Sequence, residues 1–198
     1  MAITNDVKAF LDTRGREGGV YSRLNKGDYV QNLLHVYEID DPYILDGLAM
    51  EESFPYDAVR RLFNVYRGLN GKLSTIVPFS EAIKNQRGTC TEHAIAGQLV
   101  AQAQQRDFYL VGGYVKAKDG ISFHYYNIGR FTEGWCLVDI TNPLRRGENI
   151  EPYVAPITSI DAEGLGIIVP KEWTDWRGER SYFLCKLPSE IPDDFPFR

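Results

Sequence analysis

The sequence has little of what metal, redox or scaffold chemistry requires. Its three cysteines, Cys90, Cys136 and Cys185, are odd in number with no metal-ligand spacing between them, which excludes a disulfide framework. Its three histidines, His35, His93 and His124, are isolated from one another. A closed zinc site needs four ligands, and Cys90-x-x-His93 supplies at most half of one, so no metal or other cofactor is expected. There is no acidic calcium loop of the EF-hand type and no glycine-rich anion loop. No apolar run approaches the roughly 20 residues that span a bilayer, and Met1–Asp6 lacks the basic and apolar pieces of a signal peptide. The expectation is a cytoplasmic protein with no membrane partner, although a specialised secretion system would leave little trace in such a sequence. Basic runs stop at Arg60-Arg61 and Arg145-Arg146, and 22 Lys+Arg against 27 Asp+Glu leave a net charge of −5. That balance argues against nucleic acid as a partner.

What is present concentrates between Gly88 and Asn142. Gly88-Thr89 reads as a helix entry, and Thr91 to Gln105 lacks proline and is rich in alanine and glutamine. A thiol at Cys90 then sits in the first turn of a helix, where the macrodipole and unpaired N–H groups lower its pKa. Ile121–Arg130 and Gly134–Ile140 are rich in aromatic and β-branched residues and read as strands. A hairpin turning around Phe131 and Thr132 opposes residues whose numbers sum to 263, which sets His124 directly across from Asp139. A slip of one residue would send the two side chains to opposite faces. Thiol, imidazole and carboxylate in that order are the parts of an activated cysteine nucleophile. The competing readings are a buried Cys90, a satisfied strand histidine and an Asp139 that caps a turn with Thr141 and Asn142.

The series Gly88-x-Cys90-x-Glu92-x-Ala94, Gly113-Tyr114-Val115, His124 and Trp135-x-Leu137-Val138-Asp139-x-Thr141 resembles the transglutaminase-like core of the papain-like cysteine hydrolases. The match covers roughly residues 40 to 142. It departs from the family at Ile140, where proline is frequent, and at Tyr125-Tyr126. The resemblance implies an α+β fold, with a central helix carrying the cysteine packed on an antiparallel sheet carrying histidine and aspartate. It implies catalytic roles for Cys90, His124 and Asp139, a thioester intermediate, and a protein or peptide partner offering a glutamine or backbone amide. Glutamine deamidation or transamidation is the first expectation. A cysteine protease of the same fold is the alternative, and a non-catalytic peptide-binding domain is the alternative from another class.

The rest of the chain reads as support. A chain of this length is usually one domain, expected here as a helical lead-in over 1–80, a catalytic core over 81–142, and loops with closing strands over 143–198. Apolar stripes at Val7/Phe10/Leu11, at Tyr29 to Tyr37 and at Val59/Leu62/Phe63/Tyr66 predict helices in the lead-in. Asp107–Lys116 reads as a strand whose Gly112-Gly113 pair marks a close backbone approach or a bulge. Leu144 to Asn149 reads as a charged loop, Gly166–Val169 as a short strand, and Ser181–Leu187 as a last strand with Tyr182, Leu184 and Lys186 on one face. Asn85 and Gln86 are candidates for a side-chain oxyanion donor. Trp135 and the pair Trp173 and Trp176 are candidates for bordering a substrate groove, against the commoner role of tryptophan as a core anchor.

Overall fold

The computed structural model describes residues 19–21, 54–57, 59, 85, 88–161, 165–173 and 180–184. The predicted helices at Val7 and Tyr29, together with Gln86, Trp176 and Cys185, lie outside them. Of the helix predicted around Val59, residues 55–57 and 59 are described and helical, and Val59 is fully buried.

Three long antiparallel strands form the frame: β2 (Phe108–Ala117), β3 (Gly120–Phe131) and β4 (Gly134–Arg146). β1 (Val20–Tyr21), β5 (Asn149–Pro156), β6 (Ser159–Asp161), β7 (Gly166–Ile168) and β8 (Ser181–Leu184) complete the sheet. The strand order is β5-β4-β3-β2-β8-β7-β6, and β1 pairs with β2 beside β8. One long helix, α1 (Cys90–Ala103), lies against β2, β3 and β4.

This corrects the expected fold class. Strands account for 57% of the described residues and form a curled antiparallel half-barrel, which is not the α+β helix-plus-sheet core of a papain-like enzyme. The difference arises after Asn142, where loops were expected. β4 continues to Arg146, turns tightly at Gly147, and returns as β5. β5 contains Pro152 and Pro156, which obscured it in sequence. It is tolerated because β5 is an edge strand with one unpaired side.

Two apolar layers hold the sheet. Between α1 and the sheet, Ala94, Ile95, Val100 and Ala101 pack on Phe108, Leu110, Tyr125, Val138 and Ile140. On the other face Tyr109, Val111, Tyr126, Ile128, Trp135, Leu137, Tyr153 and Tyr182 pack together. The alternation along each strand assigns its residues to one layer or the other. Polar groups tie α1 down: Asn127 Nδ2 donates to the Ala94 carbonyl at 3.0 Å and Gln98 Nε2 to the Phe108 carbonyl at 2.8 Å. Gly113 has the close approach anticipated for the glycine pair, since a Cβ there would lie 2.2 Å from the Phe183 carbonyl oxygen of β8.

Candidate active site

Cys90 is the first residue of α1, and the turn before it is built to expose that position. Thr89 is the N-cap of a capping box: its hydroxyl accepts from the Thr91 N–H at 3.2 Å, and its own N–H donates to Glu92 Oε2 at 2.7 Å. The Thr89 hydroxyl also meets that carboxylate. With the cap serving these groups, the N–H of Cys90 is the first-turn donor beside the sulfur. Gly88 is required one step earlier, because a Cβ there would come within 2.9 Å of the His93 ring.

β3 and β4 pair from Phe131–Gly134 to Asn127–Val138, and no further. Opposed numbers in this register sum to 265, so the hairpin turns on Thr132-Glu133 and His124 is not the direct partner of Asp139. The shift of two in the sum keeps both side chains on the same face, where a shift of one would have separated them. They meet diagonally, with His124 Nε2 at 2.9 Å from Asp139 Oδ2, both buried.

The end of the β3–β4 pairing also explains how the thiol reaches them. Cys90 packs on the helix side of the sheet, whereas His124 stacks near Tyr126 and Tyr182 of the opposite layer. The two can meet because the strands part at this point. Tyr125 lies two residues beyond Asn127, so its N–H points the same way, toward β4. It donates to the Cys90 sulfur, as His124 does from its side chain. Nε2 is committed to the carboxylate, which leaves Nδ1 as the ring nitrogen for the thiol.

Asp139 has more partners than the sequence indicated. Oδ1 accepts the Asn142 backbone N–H at 3.0 Å. Oδ2 accepts from His124 Nε2, from Asn142 Nδ2 at 3.0 Å and from the Tyr182 hydroxyl at 2.7 Å. Asn142 Nδ2 also lies 3.2 Å from His124 Nε2; both are donors, and the proximity reflects their shared acceptor. The capping role of Asp139 is therefore real, and it coexists with the contact to His124. A register shift makes room for it: from Asp139 to Leu144, β4 takes five steps against two of β5, and the surplus lets Asn142 turn back. Pro143, without an N–H, suits that break.

The charges follow from these contacts. For Cys90, burial works to raise the pKa, but the hydrogen bond and charge of His124 and the Tyr125 N–H outweigh it, and the thiol is more acidic than usual. Burial opposes a charged His124, yet the Asp139 carboxylate and the thiolate push its pKa up to about 10. Burial likewise opposes the Asp139 anion, and His124, Asn142 and Tyr182 hold its pKa at about 2. These shifts all favour a thiolate–imidazolium pair backed by a carboxylate. His93 differs: burial, opposed by Asp139 and assisted by His124, lowers its pKa to about 4, and its Nδ1 lies 3.0 Å from Thr141 Oγ1. It is a neutral tie between α1 and β4.

No protein-family model matches the chain, and no curated protein matches it. Among solved structures, it is similar to that of a "putative cysteine protease" from Cytophaga hutchinsonii, at 18% identity and a TM-score of 0.34. The match covers 77% of this chain and 47% of the other, so the chain spans about half of that protein's length. A likeness of this degree carries no argument, and the functional reading rests on the geometry above.

The remaining candidates fall elsewhere. Asn85 is exposed in a turn. Trp135 is buried in the core against Tyr109, with ring centroids 5.8 Å apart. Trp173, in a short 3-10 turn over Lys171–Trp173, packs edge-on against Tyr153 at 5.8 Å, and Tyr153 packs in turn on Tyr182. Cys136 is a buried thiol whose pKa is raised to about 11 by burial and the nearby Glu133 charge. Among the described residues, no helix is long and apolar enough to cross a membrane and no group of His, Cys, Asp and Glu is placed to hold a metal ion. Asn142 and Tyr182 are the functional candidates that the sequence reading missed. Asn142 was weighed only as part of a turn, and Tyr182 only as a face of the last strand.

Proposed function

We propose that this protein is a cysteine hydrolase that cleaves peptide or protein amide bonds through a thioester on Cys90. The observation that carries this reading is the unbroken hydrogen-bonded line from the Cys90 sulfur through His124 to Asp139, with the sulfur at a helix start.

The thiolate attacks the amide carbonyl and a carbon–sulfur bond forms. Negative charge gathers on the carbonyl oxygen, where the Cys90 N–H at the positive end of α1 is the donor at hand. The carbon–nitrogen bond breaks as the His124 imidazolium gives its proton to the leaving amine. Neutral His124 then takes a proton from water, whose oxygen attacks the thioester, and the carbon–sulfur bond breaks to restore thiolate and imidazolium. Asp139 stays ionised throughout and stabilises the charged ring. The same thioester serves a glutamine side-chain amide, which gives deamidation with water or an isopeptide bond with a lysine amine.

Phe123 supplies a contact for substrate. It is the exposed large hydrophobic among the described residues, at 37% exposure, and rests edge-on against Tyr114 and Tyr125 at 5.4 and 5.0 Å. It lies two residues from the N–H that holds the sulfur, on the α1 side of β3. An apolar side chain flanking the scissile amide would pack there.

The test is turnover of a mixture of unstructured proteins and glutamine peptides, with and without an added primary amine, read by mass spectrometry. Cleavage, loss of ammonia or amine incorporation that falls at least about 10³-fold in Cys90→Ala and in His124→Ala supports the reading, since nucleophile and base act as one unit. Full turnover by Cys90→Ala would sink it.

A further inference from the structure

The reading above gives Asp139 one task, facing His124, yet three of the four hydrogen bonds on its carboxylate come from other groups. We propose that Tyr182 and Asn142 are positioning residues that lock the Asp139 carboxylate against His124, acting on the thiol through two intervening side chains. This inference rests on the proposed thiol chemistry.

The geometry is specific. Asp139 sits at the point where β4 has left β3, and it is the last residue paired with β5 before that register shifts, so the sheet holds it from one side only. A carboxylate on such a residue has two rotamer freedoms to lose, and both oxygens are held here. The Asn142 backbone N–H holds Oδ1, while the Asn142 amide and Tyr182 hydroxyl approach Oδ2 alongside the imidazole. The orientation of the Asn142 amide follows from chemistry: turned over, its oxygen would face the carboxylate oxygen. The backbone carbonyl of Asn142 is held in turn by Arg180 Nη1 at 2.7 Å, whose guanidinium lies over the Tyr153 ring at 5.6 Å. Tyr182 is fully buried, with its ring against Tyr126 and Tyr153 at 5.3 and 5.6 Å, so its hydroxyl cannot swing away. Burial and the Asp139 charge raise its pKa well above the usual value, which keeps it a donor.

The groups around Asp139 fix the sign of any pH effect. His124 from β3, Cys90 and His93 from α1, and Tyr182 from β8 interact with it, while Tyr153 from β5 and Arg180 act on Tyr182 in turn. Without the Tyr182 hydroxyl, the carboxylate charge is less satisfied and acts more strongly on its remaining neighbours. The imidazolium is stabilised further, and the thiolate is disfavoured by the anion behind it. Both limbs of the thiolate–imidazolium profile therefore move to higher pH. Mere loosening of the fold would instead return Cys90 toward an ordinary thiol of pKa about 8.5 and erase the plateau.

The experiment measures the pH dependence of Cys90 alkylation by iodoacetamide in the wild type, Tyr182→Phe, Asn142→Ala and the double variant, with kcat and KM on whatever amide substrate the wild type turns over. The expected result is an upward shift of both limbs, a fall in kcat of about tenfold or more for either single variant with KM unchanged, and a double variant less damaging than the product of the two. Wild-type profile and kcat in both single variants would overturn the proposal while leaving the hydrolase reading intact. A wild type whose Cys90 alkylates like a free thiol would overturn both. Tyr182→Leu, which removes the ring as well, separates packing from hydrogen bonding: a Phe variant that unfolds at wild-type denaturant concentration while Leu does not isolates the hydroxyl.

Discussion

At the residue scale, three side chains drawn from three elements behave as one titrating unit. Their arrangement predicts that the active form, thiolate with imidazolium, persists from the depressed pKa of Cys90 up to about 10, where His124 loses its proton. Activity against pH should accordingly hold through neutrality and fall as pH approaches 10, read from kcat/KM on a neutral substrate. Cys136 should stay unmodified over the same range, because its pKa lies near 11. Cys90, His124 and Asp139 were legible in the sequence because each is marked by its local context: a helix entry, a strand and a strand end. Tyr182 was not, because its contact with Asp139 spans 43 residues and depends on β8 pairing beside β2, which no local pattern encodes.

At the element scale, the site depends on a helix start and on a place where two strands part. The capping box at Thr89 fixes the first, and Thr89→Ala should cost about 1 kcal/mol in urea unfolding while also slowing Cys90 alkylation at neutral pH. The second was only half readable. Strand content placed His124 and Asp139 on paired strands, but the turn falls one residue later than expected and the register two units higher in the sum, which still leaves both on one face. The early end of the pairing has no sequence signal short of Pro143. Gly113 is the opposite case, since a glycine pair inside a strand announces a close approach. Gly113→Ala would drive a methyl into the Phe183 carbonyl, and should destabilise the protein by about 1–3 kcal/mol through loss of β2–β8 pairing, as measured by denaturant midpoint.

At the scale of the whole molecule, the expected balance of helix and sheet gave way to a strand-dominated half-barrel, because the end of β4, β5 and β6 use sequence that was not read as strand, and the strands expected at Gly166–Val169 and Ser181–Leu187 join the same sheet. The charged centre then becomes a term in global stability. The His124 pKa is raised on folding, so its contribution is fully present below about pH 6.5 and is lost as pH rises through about 10. The Asp139 pKa is lowered, so its contribution is present above about pH 4 and is lost as pH falls toward 2. Urea midpoints of wild type and His124→Gln should therefore differ most between about pH 4 and 6.5 and converge toward pH 10.

The most direct test of the central claim is the rate of Cys90 alkylation by iodoacetamide across pH, followed by mass spectrometry with Cys136 as internal reference and His124→Ala as control. The account predicts a Cys90 that reacts well below pH 7, and a control in which this reactivity moves up toward the range of a free thiol near 8.5. A Cys90 whose profile is that of a free thiol in the wild type, or is unmoved in His124→Ala, would contradict it.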